Sequence, residues 1–191
     1  MVELTYQSPW NALAPVGRGA GVTAVPVHGR AVATIMVRKG KMSELVEQVG
    51  QAFSIVLRDQ PRRSAADNVA FLGIGPGKWL AMSDQPAAVF VVDMAARLDG
   101  LAAVVDQSDA LAILRLSGPA LPATLEKGFQ IDLRRFAIGD CAVTSVHHLG
   151  ATIWKVANGT FEVAVARSLA GSFQHWLAAS AGADGLVVAS D

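Results

Sequence analysis

Cysteine is almost missing from this chain. Cys141 is the only one in 191 residues, which excludes an intramolecular disulfide and fits a reducing compartment such as the cytoplasm. Charge is scarce as well: Asp, Glu, Lys and Arg make up 17%, against about 25% in ordinary soluble domains. Sixteen basic residues balance sixteen acidic ones. No positive field is left to gather nucleic acid or anionic lipid, so both partner classes are disfavoured. No apolar run approaches the roughly 20 residues a membrane helix requires; the run at residues 86–92 stops at Asp93. The opening residues lack a basic segment followed by an apolar one, so no secretory signal is expected.

The motifs of common chemistries are absent too. Gly73-Ile74-Gly75-Pro76-Gly77-Lys78 superficially suggests a phosphate cradle, but Trp79 follows the lysine, where a Walker loop needs Ser or Thr and then a helix. A type II turn fits it better, with proline at the second position and glycine at the third. No G-x-S-x-G elbow occurs, so neither Ser108 nor Ser117 is marked as a nucleophile. Of four histidines, His147 and His148 are neighbours on an expected strand, pointing to opposite faces and unable to grip one ion together. His28 and His175 lie far away in sequence, and Cys141 has no adjacent cation to lower its pKa. No metal site and no catalytic residue are expected.

What the chain has in plenty is apolar residues. They make up 52%, and the mean hydropathy is +0.38, more than a folded domain of this size hides by itself, so part of the surface is expected to face a partner. Residues 1–28 read as an N-terminal arm, broken by Pro9, Pro15 and Pro26 and offering Tyr6 and Trp10 as anchors. Residues 29–182 read as one domain of two pseudo-repeats, 29–100 and 101–182, followed by a tail at 183–191 with a short strand at 186–188. In the first repeat, residues 31–37 are rich in β-branched side chains and predict a strand. Met42, Leu45, Val46, Val49 and Phe53 follow at helical spacing. Residues 58–68 read as a loop, 69–74 and 79–82 as a hairpin, and 86–98 as a helix closed by Gly100. In the second, strands are expected at 111–116, 142–148, 152–156 and 161–166. A helix is expected at 119–127, with Pro119 at its first position and Gly128 at C′. Ser168 is expected to cap a last helix carrying Leu169, Phe173, Trp176 and Leu177. The halves repeat with an offset of about 80 residues. Helices alternating with hairpin-linked strands imply an α+β fold of two split βαβ-type units with antiparallel or mixed sheets.

The segment Val105-Asp106-Gln107-Ser108-Asp109 leads into Leu114-Arg115-Leu116-Ser117-Gly118-Pro119 and carries the most information. Asp106 and Ser108 are placed to bond nearby backbone N–H groups and fix a turn between strands. This phrase resembles the D-x-S turn and the strand-to-helix transition of the folate-binding fold of glycine-cleavage aminomethyltransferases. With Gly75-Pro76-Gly77-Lys78-Trp79-Leu80, Glu126-Lys127-Gly128 before Asp132-Leu133, and Val146-His147-His148-Leu149, the chain resembles the gamma subunits of heterotetrameric sarcosine oxidases over roughly residues 28–180.

The resemblance implies a non-catalytic assembly subunit whose alpha, beta and delta partners hold FAD, FMN and NAD and pass a one-carbon unit to tetrahydrofolate. Aminomethyltransferases carry a catalytic carboxylate in a G-G-x-x-D-D segment; here Ile138-Gly139-Asp140-Cys141 stands in that region without paired acids. This departure implies that folate-dependent transfer is lost. A stand-alone folate-binding or one-carbon protein is the alternative, with Asp106, Ser108 and Asp140 as the candidate cofactor-binding residues and Asp109 as a further acid.

Overall fold

The computed structural model describes residues 7–189. Two sheets stand at its centre, and each is built from strand-helix-strand units of one plan. The first sheet holds β2 (Ala31–Val37), β3 (Arg63–Ala66), β4 (Val69–Gly75), β5 (Lys78–Ser83) and β6 (Ala102–Asp106), in the order β3-β4-β5-β2-β6. Helix α1 (Met42–Phe53) follows β2, and α2 (Ala87–Arg97) follows β5. The second sheet holds β1 (Val22–Val27), β7 (Leu111–Ser117), β8 (Cys141–Val146), β9 (Leu149–Ala157), β10 (Thr160–Ala166) and β11 (Leu186–Val188), ordered β11-β1-β7-β10-β9-β8. Here α3 (Leu121–Glu126) follows β7 and α4 (Ala170–Ala181) follows β10. The run β3-β4-β5-β2 thus has its counterpart in β8-β9-β10-β7. All pairings are antiparallel except β1 with β11.

Strand alternation makes four layers of this. Along β2, Ala31, Ala33 and Ile35 join Leu45 and Val49 of α1 and Phe90 and Met94 of α2 in one core, while Val32 points the other way. Along β7, Ala112, Leu114 and Leu116 join Leu121 of α3 and Phe173 and Leu177 of α4, and Ile113 points the other way. Val32, Leu72, Leu80 and Met82 of the first sheet then meet Ile113, Cys141, Trp154 and Ala164 of the second. Because successive side chains on a strand face opposite sides, each sheet carries helices outside and its twin inside.

Several expectations change at this level. Val22–Val27, expected within an arm, is an inner strand: Val22 and Ala24 are fully buried, with β11 on one side and β7 on the other. Pro26 is tolerated because β11 pairs only as far as Ala24, so its missing N–H lies beyond the end of that ladder. Trp10 is buried and its indole Nε1 donates to the Ile113 carbonyl at 3.0 Å, anchoring the segment on its own fold. Tyr6, the other expected anchor, lies outside the described residues. Residues 58–68 are not all loop, since β3 forms there as an edge strand.

The remaining corrections concern helix ends and one turn. The helix α3 starts after Pro119 and holds Pro122 in its first turn instead. Gly128 has no positive φ; it is glycine because a Cβ there would stand 2.6–2.7 Å from the Trp176 indole. Ser168 lies in a short 3₁₀ turn before α4 and makes no capping bond. His147 and His148 are not on a strand. They form the two-residue loop between β8 and β9, with His147 at φ +55, the sign pattern of a type II′ hairpin. Their rings lie side by side at 4.3 Å. Gly77 has φ +65, as a glycine at the third position of a type II turn should.

Candidate functional site

Asp106 ends β6, and its carboxylate accepts from the Ser108 backbone N–H at 2.9 Å. The Ser108 hydroxyl accepts from the Val32 N–H at 3.0 Å and lies 3.3 Å from the Val32 carbonyl. The Ser108 hydroxyl and then its backbone N–H hold the Asp106 carboxyl below its ordinary pKa. These bonds fasten the turn between β6 and β7 to the first sheet. Asp140 organises a different corner: it accepts from Arg62 Nη1 at 2.7 Å and from the Ala137 N–H at 2.8 Å. The two places do not converge. Asp106 sits on one edge strand of the first sheet, and Asp140 bridges to Arg62 beside the opposite edge strand. Four interstrand steps separate those edges, about 19 Å at the usual spacing.

Cys141 is buried, and its thiol donates to the Gly73 carbonyl at 3.2 Å. Burial, aided by Asp140, pushes its pKa up to about 12, which makes it a packing residue and a poor nucleophile. Among the described residues no group of three or more His, Cys, Asp and Glu is arranged to hold a metal ion, and no helix is long and apolar enough to cross a membrane. Trp79 and Trp154 are fully buried, so both serve the core.

The principal polar constellation lies between the sheets, and sequence reasoning missed it. Glu162 of β10 is only 3% exposed, yet it sits in the apolar layer. Its Oε2 accepts from Arg30 Nη1 at 2.9 Å, and its Oε1 accepts from Arg115 Nε at 3.0 Å and Nη2 at 2.8 Å. Arg115 stands directly across from Glu162 in the β7–β10 register. Arg30 also meets Asp84 at 3.3 Å from the solvent side. Beside them opens a cleft of about 220 Å³, lined further by Arg63, Asp67 and Trp154. A sequence signal did exist: Arg115 in LAILRLS and Glu162 in TFEVAVA are lone charges inside apolar strands. Buried charges occur paired, so two such strands invite a search for each other.

Comparison with known proteins bears on this architecture. No family model matches the chain. A protein named sarcosine oxidase subunit gamma from Corynebacterium sp. strain P-1 is 28% identical over 159 residues, covering 82% of this chain and 72% of that one. One of the same name from Arthrobacter sp. is 28% identical over 161 residues, with the same coverage. The chain is similar to sarcosine oxidase gamma subunits. The fold agrees: a chain of the heterotetrameric sarcosine oxidase from Corynebacterium sp. U-96, in complex with pyrrole 2-carboxylate, superposes with a TM-score of 0.81 at 20% identity. That match covers 94% of this chain and 96% of the other. Aminomethyltransferase T of the glycine cleavage system from Bartonella henselae superposes with a TM-score of 0.63 at 13% identity, over 90% of this chain and 48% of its own. The α+β fold resembling that of the glycine-cleavage aminomethyltransferases, expected from the motifs, is therefore the fold observed.

Proposed function

We propose that this chain is a structural subunit of a sarcosine-oxidase-like heterotetramer, with the two pseudo-repeats of residues 29–182 completed into one body by the strands at 22–27 and 186–188. The observation carrying this reading is the similarity to two sarcosine oxidase gamma subunits along 82% of the chain. Alpha, beta and delta chains would be its partners, with FAD, FMN and NAD held by them, tetrahydrofolate as their one-carbon acceptor and the cytoplasm as the compartment. In this reading Asp106, Ser108 and Asp140 shape turns and touch no cofactor, in keeping with the local bonds each one makes. Outward-facing apolar residues support a covered surface: Val89 and Val92 of α2 lie one turn apart and are 57% and 68% exposed, and Val143 projects from edge strand β8. Permanent contacts of this kind bury more than about 2,000 Å² in total.

Co-expression with the large subunits tests the proposal. The chain is expected to co-purify with a flavin spectrum; a soluble, solitary chain that never retains a flavoprotein would overturn it. Calorimetry with tetrahydrofolate on the isolated chain tests the alternative of a free-standing folate-binding protein, which micromolar affinity would favour.

A further inference from the structure

Among the described residues, three arginines and three acids line the cleft between the sheets, and Arg63 is the arginine there that makes no ion pair. Arg62 and Arg63 are neighbours at the start of β3, so their side chains face opposite ways. Arg62 is met by Asp140 at 2.7 Å. Arg63 stands opposite Leu72, whose side chain belongs to the intersheet layer, so Arg63 lines the mouth of the cleft from the edge strand and stays exposed to solvent. Among the described residues no carboxylate lies within ion-pair distance of it. Glu162 attracts it from nearby, but both oxygens of that carboxylate are already engaged. Partial loss of hydration against the cleft wall does most to lower its pKa, and repulsion by Arg30 adds to that. Asp84 is 78% exposed and bonds Arg30 from outside. Asp67 also lines the cleft but makes no ion pair with Arg63.

We propose that this cleft binds a small oxyanion, a phosphate or a carboxylate, between Arg63 on the first sheet and Arg30 beside Glu162. A guanidinium presents a planar fork that matches such oxygens two at a time. At about 220 Å³ the space is smaller than the roughly 300–1,000 Å³ of sites for drug-sized ligands, which favours an anion of a few heavy atoms. Glu162 serves as the fixed counter-charge that keeps Arg30 aimed, leaving Arg63 as the group a ligand would engage. The inference stands apart from the assembly reading, because it rests only on this chain's own charges.

Titration of inorganic phosphate into the full chain, at ionic strength held constant with sodium chloride, tests it by calorimetry. Saturable binding is expected for the unaltered chain and for Arg62→Gln. Arg63→Gln should bind about tenfold more weakly, the usual loss for one charged hydrogen bond, with an unchanged circular dichroism spectrum. Excess acetate should displace the phosphate. Absence of saturable binding, or equal binding by Arg63→Gln, would overturn the proposal. Repeating the titration on the co-purified complex separates the sources of the anion: binding that persists identifies a free ligand, and binding lost identifies an acidic side chain of a partner in the same place.

Discussion

At the scale of single residues, two buried groups decide the most. Glu162 holds two arginines in a layer that is otherwise apolar, so removing its charge leaves Arg30 with only an exposed partner. Breaking a buried pair costs about 3–5 kcal/mol when both groups are sequestered. Arg115 is 38% exposed, so Glu162→Gln should cost about 2–4 kcal/mol in urea unfolding. Arg62→Ala, which breaks a pair open to solvent, should cost under about 1 kcal/mol. Equal effects would argue that the intersheet carboxylate is dispensable. Cys141 gives a pH-dependent counterpart. Its thiol pKa rises from 9.0 to about 12 on folding, so the folded state favours the protonated thiol. That contribution is complete below pH 9 and is lost as pH rises toward 12. A thiol reagent at pH 8 should label the native chain far more slowly than the chain in urea; equal rates would contradict burial of Cys141.

At the scale of elements, periodicity was legible where a segment's own pattern decides its structure. Residues 31–37 and 42–53 take the strand and helix that their apolar spacing predicts, because alternation and the 3.6-residue repeat report directly on which face is buried. What escaped was set by distant contacts. Val22–Val27 looks like a proline-broken arm alone and becomes a strand because Val22 and Ala24 have a ladder waiting on β7. Gly128 reads as a helix stop, but the reason for it lies across the fold on Trp176. The intersheet cluster was hidden in the same way, since Arg115 meets Glu162 only when β7 pairs with β10, and Arg30 and Arg63 join them only after both sheets stack. Asp106 and Ser108, whose bonds are local or one strand away, were legible as turn residues. Two substitutions probe these long-range causes. Gly128→Ala should cost about 1–3 kcal/mol by overpacking against the indole, read as a lower midpoint in thermal melts; an unchanged midpoint would mean Trp176 moves freely. Removing residues 1–28 should abolish cooperative unfolding, since β1 lies inside its sheet. A truncated chain that melts in one sharp transition would contradict that placement.

At the scale of the whole molecule, two helix-covered sheets stand face to face, with little charge and several outward valines. Such a surface suits burial in an assembly, in line with the chain's likeness to gamma subunits over most of its length. Substituting the α2 surface should separate folding from association: Val89→Asp with Val92→Asp is expected to leave the thermal midpoint nearly unchanged while weakening retention of the large subunits. The most direct measurement is native mass spectrometry of the chain co-expressed with those subunits. One copy of this chain in a single flavin-bearing heterotetramer is the expected result. Isolated monomers of this chain beside a fully formed flavoprotein that lacks it would contradict a role in assembly.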